Sequence, residues 1–284
     1  TFEPGSVGKV ISMSGYLQMG LHKMSDQLSV PDHITQEGQT YKDSFDHGTE
    51  RWTLAGILQN SSNVGMIMAG ENYPDEQRYE YLTKFGIGQP TGLNLPGESS
   101  GLLTNPSAWD LRTRNTILFG QGYTVNALQL NNVVATIANK GVKQQQSIIK
   151  STTDANGKTT ETKKGEATRV VDEKVASDMM NAMESVAEGY NKFVKVDGYR
   201  MAAKSGTAEV QGSDGTLSSI ISDYSVVIPV DNPRYAVTVV MKDPNGVFGG
   251  LTAGPVSAQI CEFLMQKYEV PVSGPRKNAI PVTW

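Results

Sequence analysis

Three short stretches hold residue types that could do chemistry together: Ser6-Val7-Gly8-Lys9, Ser61-Ser62-Asn63 and Lys204-Ser205-Gly206-Thr207. A serine hydroxyl is a poor nucleophile near neutral pH and needs an adjacent base. If residues 6 to 9 open a helix, positions i and i+3 share a face, so the Lys9 amine comes within hydrogen-bond reach of the Ser6 hydroxyl. Lysine serves as a base only when neutral, so burial or another cation must lower its pKa, and Lys204 is a candidate for that cation. Pro4-Gly5 fits a turn into a helix start, where free N–H groups face a developing negative charge. The Lys204 stretch reads as the end of a strand, whose edge can pair with an extended peptide. Gly206 would let a substrate lie close to that backbone, and the Ser205 and Thr207 hydroxyls with the Lys204 charge suit a carboxylate. Taken singly, Ser-x-x-Lys is a chance match and Lys204 to Thr207 a surface turn. Their order and spacing together carry the signal.

Other chemistries find less support. The three histidines, His22, His33 and His47, are not paired at ligand spacing, and no Gly-x-Ser-x-Gly elbow accompanies them, which argues against a Ser-His-Asp triad. No His/Cys/Asp/Glu cluster has metal-ligand spacing, so neither a metal nor a cofactor is expected. Gly86 to Gly92 is glycine-rich but lacks the strand before and helix after it that a dinucleotide fingerprint needs. Glu71, Asp75, Glu76 and Glu80 read as the solvated face of a helix. The lone cysteine, Cys261, excludes an internal disulfide and sits in an apolar pattern as a small buried hydrophobe. A net charge of -4 gives no electrostatic case for nucleic acid. With 284 residues, 38% hydrophobic and 19% charged, the chain reads as an ordinary folded, water-soluble protein of one large domain or two small ones. No stretch approaches the roughly 18 apolar residues of a membrane span. The chain opens at Thr1 without methionine, and a piece of a longer protein is expected.

The elements that must position the three stretches follow from periodicity. Val10, Met13, Leu17, Leu21 and Met24 predict a helix over 5–24. Residues 30–50 suggest short strands and loops. Thr53 is an N-cap candidate for a helix leading into Ser61-Ser62-Asn63, with a second apolar piece over Val64 to Ala69. Further helices are expected at 79–85, ended by Gly86, and at 125–139, 172–187 and 255–268, with Phe119-Gly120-Gln121-Gly122 as a turn. Residues 150–168 read as a solvated hairpin or flexible loop. Runs at 199–204, 224–228 and 235–241 predict three strands, split by turn signals at Gly212-Ser213-Asp214-Gly215 and Asp231-Asn232-Pro233. The sum is an α+β fold, an antiparallel sheet flanked by helices.

Glu3-Pro4-Gly5-Ser6-x-x-Lys9, Ser61-x-Asn63 and Lys204-Ser205-Gly206-Thr207 resemble the three motifs of penicillin-binding proteins. The segments 58–64, 91–98 and 119–122 agree with class B members, the monofunctional peptidoglycan D,D-transpeptidases, and the likeness covers nearly the whole chain. It is nearest the division- or elongation-associated, penicillin-binding-protein-3-like subgroup. The resemblance implies a serine β-lactamase/transpeptidase-like fold with an all-helical subdomain, and one transpeptidase domain over 1–284. It implies Ser6 as nucleophile, Lys9 as base, and Ser61 and Asn63 as proton relay and substrate-amide holder. Lys204 would tune the field, Ser205, Gly206 and Thr207 would bind the substrate carboxylate, and the Ser6 and Thr207 N–H groups would form the oxyanion hole. Implied partners are a stem peptide ending in D-Ala-D-Ala, β-lactams as covalent inhibitors, and division or elongation membrane proteins including a glycosyltransferase. The implied place is the outer face of the bacterial cell membrane, with a pedestal domain and an N-terminal anchor outside this sequence.

Three departures stand out. Ser205 replaces a usual Thr but keeps the hydroxyl. Val7-Gly8 replaces a Thr and a larger apolar residue, and Gly8 is expected to loosen the helical turn by roughly 1 kcal/mol against Ala. Only five residues precede the nucleophile, so the sheet is expected to lack a strand. Two other readings use the same residues: a serine β-lactamase or D,D-carboxypeptidase, disfavoured because no Glu is clearly placed as a deacylation base, and a non-catalytic penicillin-sensing or scaffolding domain.

Overall fold

The structure is a computed structural model, and it describes all residues except Glu37, Lys164, 212–216 and Val247, with the side chains of Val210, Gln211, Leu217 and Ser218 also outside it. A 3-10 turn, Gly5–Gly8, runs straight into α1 (Lys9–Gln18). The helix expected over 5–24 thus ends six residues early. Gly20, at φ +69°, terminates it: the Gly20 N–H donates to the Leu17 carbonyl and the Leu21 N–H to that of Tyr16. Met24 is still buried, but from a loop.

Two small antiparallel ladders follow, β1 (Gln27–Val30) paired with β4 (Glu50–Thr53) and, between them in the chain, the hairpin of β2 (His33–Gln36) with β3 (Gln39–Lys42). Thr53 caps α2 (Leu54–Gln59), its Oγ1 accepting the Gly56 N–H at 3.1 Å, and Ser62 caps α3 (Asn63–Ala69) in the same way through Gly65 at 2.8 Å. Next comes α4 (Asp75–Phe85), which starts four residues before the expected 79 and ends at Gly86 with φ +100°. Glu71 precedes this helix, and Asp75 is bridged to Arg78 and Arg114 at 3.3 and 3.0 Å.

The chain continues through α5 (Leu111–Thr116) to α6 (Ala127–Ala138), opened by an Asn126/Gln129 capping box. Then β5 (Val142–Gln144), β6 (Ser151–Thr153), β7 (Thr159–Glu161) and β8 (Ala167–Arg169) form two short ladders, with β6 and β7 wholly exposed. The longer helix α7 (Glu173–Gly189) leads to the main sheet. Its strands β9 (Ala202–Gln211), β10 (Leu217–Ile228) and β11 (Tyr235–Lys242) pair antiparallel in the order β11-β10-β9. The expected turn at Gly212 to Gly215 lies outside the described residues. The turn at Asp231 to Pro233 joins β10 to β11. The last helix, α8 (Gly249–Lys267), starts six residues before Pro255 and carries that proline inside it. Among the described residues the main sheet has three strands. Phe2 does not join it and bridges to Val125 instead.

Strand alternation sorts the sheet into two faces. Ala202 and Val227 turn toward the main apolar core of α1 to α4, α6 and α7, while Ala203, Val226 and Ile228 pack against Ala253, Cys261 and Met265 of α8. Cys261 is fully buried, and burial pushes its thiol up to about 12. The outcome is α8 on one side of an antiparallel sheet and the helical mass on the other.

Candidate active site

Fold and alternation bring the three stretches to one cleft of about 380 Å³, lined among others by Ser6, Ser61, Asn63, Ser205 and Thr207. The 3-10 turn is wedged between the sheet and the turn at 119–122. Gly5 sits at φ +50°, where a Cβ would meet the Thr207 carbonyl oxygen at 2.5 Å, and a Cβ on Gly120 would meet the Gly5 carbonyl oxygen at 1.7 Å. Gly8 is packed equally closely, its would-be Cβ lying 2.4 Å from the Tyr123 hydroxyl and 2.6 Å from the Gly120 Cα. The expected loosening at Gly8 is therefore a close contact that only glycine permits.

Lys9 has no exposed area, and its Nζ lies 3.1 Å from Ser6 Oγ, 3.3 Å from Ser61 Oγ and 2.8 Å from Asn63 Oδ1, with a further bond to the Ser61 carbonyl oxygen. The Ser61 carbonyl and Asn63 Oδ1 can only accept. A neutral amine has two N–H groups for them and one lone pair left for a hydroxyl. Burial, and then the charge of Lys204, hold the Lys9 pKa well below the ordinary lysine range, against the opposing pull of Asp43. Ser61 reaches both lysines from a left-handed backbone, φ +58°, a conformation that costs a non-glycine residue about 1 kcal/mol. Lys204 Nζ donates to Ser61 Oγ and to the Ser205 carbonyl, each at 3.0 Å. It too is fully buried, and burial lowers its pKa to about 7, with Asp223 opposing.

The Lys204-Ser205-Gly206-Thr207 stretch lies within β9 rather than at its end, but β9 is the edge strand of the sheet. Alternation sends Lys204 and Gly206 inward and Ser205 and Thr207 to the opposite side. Ser205 Oγ lies 3.1 Å from the Tyr190 hydroxyl, and Thr207 Oγ1 accepts the N–H of Gly249 at 3.2 Å, which leaves its own proton for a ligand. Gly206 faces Asp223 in register, and a Cβ there would meet the Asp223 carboxyl at 2.3 Å and the Pro4 carbonyl at 2.5 Å. Here glycine makes room for the fold's own carboxyl.

Three site-proximal residues escape a sequence reading. Asp43, eighteen positions before Ser61, accepts the N–H groups of Asn63 at 2.6 Å and Val64 at 3.0 Å. Tyr190 ends α7. Asp223 is buried, with neither oxygen hydrogen-bonded among the described residues, and burial pushes its carboxyl well above the usual carboxylate range. Only Asp223 leaves a trace in the sequence, as an acidic residue inside a β-rich run.

Residues 1–262 match the model of the penicillin-binding protein transpeptidase domain. The chain belongs to this family. It is 35% identical over 265 residues to the peptidoglycan D,D-transpeptidase FtsI of Escherichia coli, covering 91% of this chain and 43% of FtsI. A solved peptidoglycan synthetase from Bifidobacterium adolescentis superposes with a TM-score of 0.96 at 68% identity, over 100% of this chain and 52% of that one. Penicillin-binding protein 3 of Mycobacterium tuberculosis, solved with ampicillin, superposes with a TM-score of 0.92 at 32% identity, over 100% of this chain and 66% of that one. This transpeptidase domain thus spans less than half the length of FtsI. Among its described residues no helix is long and apolar enough to cross a membrane, and no group of acidic, His and Cys side chains could hold a metal ion.

Proposed function

We propose that this chain is the catalytic domain of a peptidoglycan D,D-transpeptidase that works through an acyl-serine intermediate and is acylated by β-lactams. The observation that carries the reading is the Lys9 amine, buried, 3.1 Å from Ser6 Oγ and with two acceptors already facing it. Ser6 Oγ attacks the carbonyl between the two terminal D-Ala residues of a stem peptide while Lys9 takes the hydroxyl proton. The developing oxyanion meets the Ser6 and Thr207 N–H groups, a kind of contact whose loss costs about 3 kcal/mol. Ser61, between Lys9 and Lys204, passes the proton to the departing D-Ala amine, and the C–N bond breaks. An amine of a second stem peptide then attacks the acyl-serine, the Oγ–C bond breaks, and Ser6 regains its proton. Lys204 with the Ser205 and Thr207 hydroxyls holds the substrate carboxylate, and Asn63 holds the substrate amide. This reading puts the reaction on the outer face of the bacterial cell membrane, beside FtsI-like partners that include a glycosyltransferase.

In a β-lactam the broken amide stays tethered, so its amine cannot diffuse away and the adduct persists. The described residues lining the cleft include no carboxylate to activate water, which favours a lasting adduct over β-lactamase turnover. Intact-mass spectrometry after penicillin treatment tests this. The expected result is a single adduct on the Ser6 peptide, absent in Ser6→Ala and stable over minutes. Hydrolysis within seconds would instead assign a β-lactamase, and no adduct at all a scaffold. Acylation is expected to rise with pH as Lys9 loses its proton and to fall again as Lys204, at about 7, loses the charge that attracts a carboxylate.

A further inference from the structure

The loop between β3 and β4 carries an ion pair that the reaction above does not use. Asp43 and His47 bury their side chains to 1% and 5% exposure, and His47 Nε2 lies 3.1 Å from Asp43 Oδ2. The other ring nitrogen, Nδ1, lies 2.6 Å from the Gly48 carbonyl oxygen. Both partners can only accept. A neutral imidazole has one N–H and an imidazolium has two, so satisfying both oxygens requires the cation. The ring is wedged beside Phe45 and Trp52, with centroids 4.9 and 5.1 Å away. Asp43 uses its second oxygen for the N–H groups of Asn63 and Val64, at the first turn of α3. The residue before Asp43 completes the clamp, the Lys42 carbonyl accepting Asn63 Nδ2 at 3.2 Å. Ser44 and Phe45, between the pair, line the cleft.

We infer that His47, as an imidazolium, is a positioning residue for the Ser61-Ser62-Asn63 motif, acting through Asp43 on the backbone of Asn63 and Val64. The role assigned to that motif rests on the function proposed above, but the charge state of His47 does not. Loss of the proton turns a nitrogen lone pair toward either Asp43 or the Gly48 carbonyl. The loop must then shift, and with it the Asn63 side chain that accepts from Lys9. It also leaves the Asp43 charge, which Lys9 feels, without its cation. Burial works against the imidazolium, but the hydrogen bonds to Asp43 and Gly48 and the charges of Asp43 and Asp32 outweigh it and raise the pKa above the ordinary histidine value. Asp32, from the β1–β2 connection, is a charged neighbour outside the loop.

Histidine-ring NMR on the intact domain tests the charge state. His22 also has oxygens at both ring nitrogens, so the His47 signals are assigned by their contact with Trp52. The expected result is an imidazolium with two N–H protons at pH 7, titrating above ~6.5, with the Asn63 and Val64 amides following the same midpoint. In His47→Gln that amide titration disappears, and penicillin acylation of Ser6 slows by on the order of tenfold. A neutral His47 ring at pH 7, amides that ignore its titration, or wild-type acylation in His47→Gln would each overturn the inference. Should His47→Gln fail to fold, the wild-type titration decides alone. A wild-type domain that takes no penicillin overturns the proposed function and leaves the ring titration to judge the pair.

Discussion

Lys9 and Met13 stand one turn apart on the same face of α1, and both are fully buried. Met13 sits among apolar neighbours and loses nothing by leaving water. Lys9 gives up the hydration of an amine and gains hydrogen bonds to Ser61 and Asn63 plus a lowered pKa. The apolar body and the cleft floor are thus built by the same helix on opposite terms. In the body, burial is the source of stability. In the cleft, burial stores cost, as the left-handed Ser61, the twice-buried lysines and the orphaned Asp223 carboxyl also do. The core beneath is what holds these groups in place.

The largest expected effect comes from making the two residues alike. Lys9→Met converts the cleft position into a core position of similar length. It removes the base of the proposed reaction, and acylation of Ser6 should fall by about 10²–10⁴-fold. The melting temperature should stay within a few degrees, because the desolvated amine is removed while the Ser61 and Asn63 oxygens lose their donor. A variant that kept its acylation rate would break the comparison, and so would one that lost several degrees.

The converse change is Met13→Ala. It removes a fully buried side chain and should cost roughly 2–5 kcal/mol of stability, read as a lower denaturant midpoint. At a temperature where the variant is folded, acylation should stay within a few-fold of wild type, since Met13 touches no reacting group. A large loss of rate without loss of stability would show that the body does more than carry the cleft.

A smaller effect is expected at the seam. Gly8→Ala raises helix propensity by roughly 1 kcal/mol, and the sequence alone therefore favours it. The would-be Cβ meets the Tyr123 hydroxyl and the Gly120 Cα below 3 Å, and overpacking of this kind costs about 1–3 kcal/mol. The net should be destabilising, with slower acylation as the turn bearing Ser6 is pushed away from Gly120 and Tyr123. Thermal melts and acylation rates of Gly8→Ala against wild type give the sign, and a stabilised variant with unchanged acylation would show that propensity wins over the contact.

Gly8 also marks how far the sequence could be read. Helix and strand periodicity located most elements, because their apolar stripes face one core. The eight motif residues were legible because chemistry restricts their types. Boundaries were less so: Gly20 ended α1 through a left-handed turn, and α8 ran through Pro255 because its first turns pack on β9 and β10. What stayed hidden depends on contacts between distant segments. Asp43 reads as one more loop aspartate until α3 docks on it, and Gly8 reads as a flaw until Tyr123 fills the space beside it.

Tyr190 is the hidden residue with the smallest expected effect. Its hydroxyl lies 3.1 Å from Ser205 Oγ, and its ring packs edge-on against Tyr224, 5.9 Å between centroids. Tyr190→Phe keeps the ring and its contact with Gly250 and removes only the hydroxyl. One neutral hydrogen bond is worth about 0.5–1.5 kcal/mol, so a loss of roughly 2–10-fold in acylation rate is expected. Because Ser205 is assigned to the substrate carboxylate, the loss should fall on binding rather than on the limiting acylation rate at saturating penicillin. It should also vanish for a β-lactam analogue whose carboxylate is esterified. A loss of equal size with the ester would place Tyr190 with the apolar body as packing. A loss confined to the free acid places it with the cleft, at the point where α7 hands over from one region to the other.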